Sequence, residues 1–274
     1  MPMDGVMLGF VARQLDTILR DGRVDRVMQP EKDEIHLMIR SQGANHRLVL
    51  SAAANAARVH LSEHAKTGPM EPPMLCMLFR KYLCGGRVLA VRRIAGDRIL
   101  EIDVSNLSEL GDPVTRTLVV EIMGRHSNII LRTEDGRIID AARHVGQDIS
   151  RVRQVMPGLP YAYPPTQGKL DPETADAEAV ASALENAGGK LEKAIGASIA
   201  GFSPQAAREA AVRIGMDGSA LVSEINVQAA ANALCDYFHQ MPSLSPCVVT
   251  LDDLGAPTDV FPFCLLYTSP SPRD

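Results

Sequence analysis

Six cationic side chains lie between positions 80 and 98, and five of them are arginine: Arg80, Lys81, Arg87, Arg92, Arg93 and Arg98. Within those nineteen residues Asp97 is their only counter-charge. A guanidinium stays charged and offers a planar fork that fits phosphate bidentately or stacks on a base. The run therefore reads either as a surface for a polyanion or as the solvated face of an ordinary helix and strand. Inside it, Gly96-Asp97-Arg98 reads as a tight connection between two strands, with an acceptor carboxylate beside a forked donor. The carboxylate could accept from a base amino group or a ribose hydroxyl, and the guanidinium could clamp a phosphate. The same two residues could also simply bond internally at a hairpin tip.

A second polar constellation follows. In Glu121 to Leu131, Gly124 permits a backbone turn, and Arg125, His126, Ser127 and Asn128 then come in succession before the apolar Ile129-Ile130-Leu131. His126 has the titration range of an acid or base. No nucleophile accompanies it in a recognisable motif, so it reads as structural or RNA-contacting. Further on, Ile199-Ala200-Gly201-Phe202-Ser203-Pro204, followed by Arg208, has the form of a helix-hairpin-helix turn. There Ser203 caps and Pro204 opens a helix whose N–H groups could meet phosphate. A plain helical hairpin fits as well. His60 and His64 are four apart, but Leu-Ser-Glu between them is not the order of a zinc protease and no third ligand is evident, so neither metal nor cofactor is expected.

These residues need elements to hold them. Apolar positions Val6, Leu8, Phe10, Val11, Leu15 and Ile18 predict a helix closed by Asp21-Gly22. Period-two alternation predicts strands at 23–29, 34–40 and 47–51, with Ile35, Leu37 and Ile39 inward and Glu34, His36 and Met38 outward. Pro30 and Gly43 mark the breaks. A helix over 74–83, stopped by Gly85-Gly86, precedes strands at 88–94, 99–104, 117–122, 128–132 and 137–141. The connections between these strands are too short for parallel crossovers, so an antiparallel meander is expected. From Pro172 to Gln240 the chain is Ala-rich and helix-forming, and a hairpin is expected around the turn 253–255. The expected organisation is thus an α+β unit over 1–165, a helical unit over 170–240, and the start of a β segment over 241–263.

The 274 residues are 46% hydrophobic and 22% charged, with five cysteines that form no C-x-x-C pair. That composition excludes a disordered chain and a disulfide scaffold. No apolar run of spanning length occurs and the opening Met1-Pro2-Met3-Asp4-Gly5 is acidic, so neither membrane spanning nor secretion is expected, and the cytoplasm is. The net charge of -5 hides an asymmetry: 22 Lys and Arg oppose 19 Asp and Glu up to Pro165, whereas 6 oppose 14 after it. The positive part coincides with the arginine run. The last eleven residues, 264–274, read as a translated sequencing adapter appended to a truncated gene, so the native protein is expected to continue past Phe263.

Six segments occur in one order: Met3-Asp4-Gly5; residues 22–30; residues 73–87; Gly96-Asp97-Arg98; residues 121–131; and 153–158 followed by Tyr163-Pro164-Pro165. Together they resemble the N-terminal part of the NFACT family. The resemblance implies an α+β N-domain like that of the Fpg/Nei glycosylases, followed by a helix-hairpin-helix domain. It implies a ribosome quality-control factor that binds the large ribosomal subunit carrying peptidyl-tRNA and recruits alanyl-tRNA for C-terminal alanine tailing, without catalysis of its own. It implies tRNA contact at Asp97, Arg98, Glu121, Arg125, His126 and Asn128, with Arg80, Lys81, Arg87, Arg92 and Arg93 as electrostatic support. The alternatives are a DNA glycosylase using a Pro2 amine, although Met3 stands where those enzymes carry Glu; a fibronectin-binding adhesin; and a structural assembly module.

Overall fold

The computed structural model describes residues 3–165, 167–244 and 247–266. Pro2 and residues 267–274, on which the glycosylase reading and most of the adapter reading turn, lie outside the described residues. Helix α1 (Gly5–Leu19) is capped by Asp4, whose Oδ1 accepts from the Met7 N–H at 2.8 Å. It leads into a nine-stranded antiparallel sheet ordered β4-β3-β2-β1-β5-β6-β7-β8-β9. The strands are β1 (Arg23–Glu31), β2 (Glu34–Ser41), β3 (Ala44–Ser51), β4 (Arg58–Leu61), β5 (Arg87–Arg93), β6 (Ile99–Leu107), β7 (Pro113–Glu121), β8 (Asn128–Thr133) and β9 (Ile138–Ala141). Helix α2 (Met74–Leu83) joins the two halves of the sheet.

Both meanders contribute to one core around α1 and α2. Leu8, Ala12, Leu15 and Leu19 of α1 and Phe79 and Leu83 of α2 are buried with Ile35, Leu37 and Ile39 of β2 and with Leu100, Ile102, Leu118 and Leu131 of the second half. The predicted strands are present and mostly longer than expected, because backbone pairing continues past the apolar stretch. Pro30 does not break β1, and strand β4 was not anticipated. A larger departure concerns the second face of the sheet. Glu34 and His36, expected outward, are buried, with His36 Nε2 2.7 Å from Glu34 Oε1 and Lys66 Nζ 2.9 Å from Glu34 Oε2. On β6–β9 the second face carries its own apolar cluster, Ile99, Val119, Ile130 and Ile138, closed by Val145, Val155 and Tyr161 of the 142–163 excursion. A covered second face removes the alternation that a half-exposed sheet would show.

Helices α3 (Ala177–Ala187), α4 (Leu191–Ser198), α5 (Pro204–Arg213) and α6 (Val227–Gln240) form a second apolar cluster, followed by the hairpin β10 (Val248–Leu251) and β11 (Pro257–Phe261). Helix α1 serves both clusters, since Val6 is buried in, and Phe10 packs on, the helical one. Of the eleven C-terminal residues, Leu265 is buried against this cluster, and the Leu266 N–H donates to Glu209 of α5 at 2.8 Å.

Candidate nucleic-acid interface

The β5–β6 connection is as tight as the sequence suggests. The Asp97 N–H donates to the Ile94 carbonyl at 2.9 Å, and Ala95 and Gly96 take φ of 45° and 67°. The two positive φ values lie at the centre of the Ile94–Asp97 turn, within a connection of residues 94–98 that the Ile94 N–H closes onto the Ile99 carbonyl at 3.0 Å. The turn does not project freely into solvent, however. A Cβ on Gly96 would lie 2.8 Å from Pro172 Cδ, and the Gly96 carbonyl is 2.2 Å from where a Cβ on Gly201 would stand. Gly201, at φ 76°, also accepts the Gly5 N–H at 2.8 Å. Three backbones thus meet where only glycine fits: the α1 N-terminus, the β5–β6 turn and the α4–α5 turn.

A groove of about 730 Å³ opens beside this junction, lined among others by Met3, Asp97, Arg98, Met123, Tyr163 and Phe202. Asp97 and Arg98 are half-buried in its wall. Asp97 Oδ1 accepts the Arg98 N–H at 2.7 Å, which fixes the carboxylate. Among the described residues the Arg98 guanidinium has no hydrogen-bond or ion-pair partner. Three carboxylates, Asp4, Asp97 and Asp171, line the same groove, but none of them pairs with this guanidinium, which leaves its N–H groups free to meet an anion. The Ile122 N–H donates to the Arg98 carbonyl at 2.8 Å, and Met123 of the same segment lines the groove, so the 3-10 turn Gly124–His126 sits next to the pair. Arg125 and His126 are exposed there, with Arg125 Nε donating to His126 Nε2 at 3.0 Å.

Glu121 and Asn128 depart from the expected contact role. Glu121 is 1% exposed, receives Arg153 through both guanidinium nitrogens, one at 3.0 Å, and accepts the Tyr161 hydroxyl at 2.9 Å. Asn128 is 3% exposed; its amide donates to the Arg143 carbonyl at 2.8 Å, and its oxygen accepts from the Ile129 and Arg143 N–H groups, each at 2.9 Å. Both side chains are consumed in holding the 142–163 excursion to the sheet. The arginine run also differs from its local appearance, because strand β6 and loops elsewhere in the chain supply its counter-charges. Lys81 pairs with Glu109 at 2.9 Å, Arg87 with Asp21 at 3.9 Å, and Arg92 with Glu101 at 2.7 Å and with Asp103. Arg93 is buried, binding the Gly5 carbonyl at 2.8 Å and Glu173 at 2.5 Å, and Arg80 Nε donates to the Val27 carbonyl at 2.8 Å.

Three further groove residues, Asp4, Ser203 and Tyr163, were not among the expected contacts. Asp4 is half-buried, and the desolvation of its carboxyl holds it above the usual carboxylate range, opposed by hydrogen bonds from Met7 and Ser203. Ser203 Oγ donates to Asp4 Oδ2 at 2.5 Å while accepting the Ala206 N–H at 3.2 Å, capping α5 and tying it to α1. Ser203→Ala is expected to lower stability by about 1–2 kcal/mol, measured by urea denaturation, because it removes a cap and takes a partner from a half-buried carboxyl. Tyr163 closes the groove on the linker side. Its hydroxyl donates to buried Glu101 at 2.6 Å, and burial followed by this contact pushes its ionisation up to about 12. Since the folded value lies above the ordinary 10, the unfolded chain loses its proton first. Stability is therefore expected to fall as pH rises from about 10 to 12, an effect that absorbance of tyrosinate would follow and that Tyr163→Phe would reduce.

No helix among the described residues is long and apolar enough to cross a membrane, and no three His, Cys, Asp or Glu side chains among them gather as a metal would require. The sequence matches the family model for NFACT N-terminal and middle domains over residues 4–271. The chain belongs to the NFACT family. Its NFACT relatives include the Rqc2 homolog RqcH of Bacillus subtilis, 37% identical over 217 residues, which span 79% of this chain and 38% of that protein. The Rqc2 homolog RqcH of Streptococcus suis is 41% identical over 179 residues, or 65% of this chain and 32% of that protein. The chain thus spans about a third of the length of these relatives. Among solved structures, the fibrinogen binding protein of Staphylococcus aureus superposes with a TM-score of 0.79 at 30% identity, covering 97% of this chain and 92% of that one. The N-terminal part of the fibronectin/fibrinogen-binding protein of Streptococcus suis gives 0.73 at 35% identity, covering 85% and 84%. The large antiparallel sheet with flanking helices is therefore the NFACT N-terminal α+β fold.

Proposed function

We propose that this chain is the tRNA-handling part of a cytoplasmic ribosome quality-control factor. It would bind the large ribosomal subunit carrying peptidyl-tRNA and recruit alanyl-tRNA for C-terminal alanine tailing of stalled chains. The observation that carries the reading is the half-buried Asp97–Arg98 pair, whose guanidinium is uncompensated within a groove of a chain related to RqcH. Asp97 would accept from a base amino group or a ribose hydroxyl, and Arg98 would take a phosphate. Arg125 and His126 would extend the contact along the rim. Glu121 and Asn128 would act as positioning residues, and the paired cations Lys81, Arg87 and Arg92 would add long-range field only. The protein would position tRNA while the ribosome forms the bond, a division of labour in which proximity supplies the rate.

In the same reading the chain divides near Pro164 into a sheet unit and a helical unit that share α1, and the α4–α5 turn is a helix-hairpin-helix element of the Fpg/Nei kind. RNA co-purifying with the chain should be enriched in tRNA, chiefly that for alanine, and sequencing that RNA tests it. The pair Asp97→Ala with Arg98→Ala should weaken tRNA binding at least about tenfold in a filter-binding titration. Affinity should fall with salt at a log–log slope of roughly -0.7 per phosphate contact. A second reading, adhesion to fibrinogen or fibronectin, draws on the names of the similar solved structures. It predicts saturable binding of immobilised fibronectin that the double substitution leaves unchanged.

A further inference from the structure

The groove holds a second feature that the Asp97–Arg98 pair does not explain, an aromatic ring clamped at both ends. Tyr163 is 45% exposed, unusually open for a tyrosine whose hydroxyl is tied to a carboxylate that is itself 1% exposed. That carboxylate, Glu101, is fixed in turn by Arg92 at 2.7 Å and Arg132 at 3.0 Å. On the other side, the Tyr163 ring meets Tyr161 edge-on, with centroids 5.2 Å apart at 82°, and Tyr161 is itself bonded to Glu121. The backbone after Tyr163 is Pro164-Pro165, whose φ angles are locked. A surface tyrosine ordinarily turns its ring freely. Here the hydroxyl end, the ring edge and the following backbone are all held, and nearly half of the residue remains uncovered in a groove.

We propose that Tyr163 is the stacking platform for one unpaired nucleobase whose phosphate Arg98 takes, with Glu101 as the residue that sets the orientation of the ring. The proposal rests on the reading of the groove as an RNA site and specifies what enters it: a single unpaired nucleotide rather than a duplex. Three physical points favour that ligand. The cavity, about 730 Å³, lies within the roughly 300–1,000 Å³ of small-ligand clefts and is too confined for a helix. Side-chain readout of RNA acts chiefly on unpaired bases laid on aromatic rings. Finally, a ring already immobilised loses little conformational freedom on binding, which preserves the full stacking contribution. Because every base has a π-face, the platform would accept any base, leaving identity to the hydrogen-bonding groups of Asp97 and the groove wall.

The test uses the whole chain and short single-stranded RNAs carrying 2-aminopurine at successive positions, read by fluorescence and by anisotropy. The expected result is quenching at one position with the unsubstituted protein. Tyr163→Leu should abolish that quenching and weaken binding about tenfold, and Tyr163→Phe, which keeps the ring, should retain it. Glu101→Gln should leave quenching in place but broaden it over neighbouring positions, because the ring loses its ionic anchor. A thermal melt of each variant establishes that it is folded. RNA binding without quenching at any position by the unsubstituted protein would overturn the proposal even if Tyr163→Leu failed to fold. So would unchanged affinity of folded Tyr163→Leu alongside a large loss for Asp97→Ala with Arg98→Ala; that result would leave the RNA-binding reading intact. If the double substitution also binds normally, or no RNA binds, the wider reading and this one fall together.

Discussion

Gly201→Ala should lower the melting temperature by roughly 6–12 °C, the largest loss expected from the addition of one methyl group to this chain. The added Cβ would stand 2.2 Å from the Gly96 carbonyl and 2.9 Å from Gly5 Cα, and all of these are backbone atoms that no rotamer change can move. The backbone at 201 also has φ 76°, a region that costs an L side chain about 1–2 kcal/mol. Overpacking adds about 1–3 kcal/mol. A total on the order of 3 kcal/mol follows, and it falls on the junction between sheet and helices. Relief requires the α4–α5 turn to move off the β5–β6 turn, which breaks the Gly5 N–H to Gly201 carbonyl bond and widens the groove wall. On the proposed RNA-binding role, loss of RNA affinity should therefore accompany the loss of stability. Gly215→Ala, where φ is 74° but no atom lies within 4 Å of the new Cβ, should cost only the backbone part and leave affinity unchanged. A calorimetric scan and a binding titration on the two variants separate the effects.

Arg153→Leu should destabilise the fold by about 3–5 kcal/mol, because it leaves Glu121 as an uncompensated charge in the interior. Both carboxylate oxygens of Glu121 face the Arg153 guanidinium, and the remaining partner is a neutral tyrosine hydroxyl. Replacing both members, Arg153→Leu with Glu121→Leu, should recover most of that loss, since a buried ion pair contributes little net stability compared with apolar residues of similar size. On the proposed RNA-binding role, the recovered double variant should still bind RNA less well. Tyr161 loses its acceptor in that variant, and with it the edge contact that steadies Tyr163. Chemical denaturation of the two variants, run beside a tRNA titration of the double one, measures both consequences. A double variant as unstable as the single one would mean that Glu121 is not the seat of the penalty.

Much of the architecture was legible residue by residue. Strand alternation at 34–40 and 47–51, the Gly85-Gly86 stop after α2 and the short gaps between strands led to an antiparallel meander, and one is present. The Asp97–Arg98 turn was likewise readable, because tight strand connections obey local rules. What escaped were properties that depend on long-range partners. Glu34, His36, Glu121 and Asn128 look like surface residues by composition, yet each is buried under a segment that alternation on one strand cannot foresee. Lys81, Arg87, Arg92 and Arg93 look unpaired within their own nineteen residues, yet each meets a carboxylate from another element.

Local chemistry, then, is what the residues determine by themselves: a helix cap such as Ser203, strand period, turn type and the presence of a carboxylate beside a guanidinium at 97 and 98. These depend on φ/ψ preferences and hydrogen bonds spanning a few positions, which neighbours in the chain settle. Which cations remain uncompensated was decided only by the tertiary structure. Charge pairing and desolvation depend on distance in space, and the fold brings Glu101, Asp103 and Glu109 to Arg92 and Lys81 while leaving Arg98 in a groove wall without an ion-pair partner among the described residues. In the proposed binding surface, the sequence placed Asp97 and Arg98 side by side, and folding decided that Arg98, unlike Lys81, Arg87, Arg92 and Arg93, keeps no ion-pair partner among the described residues.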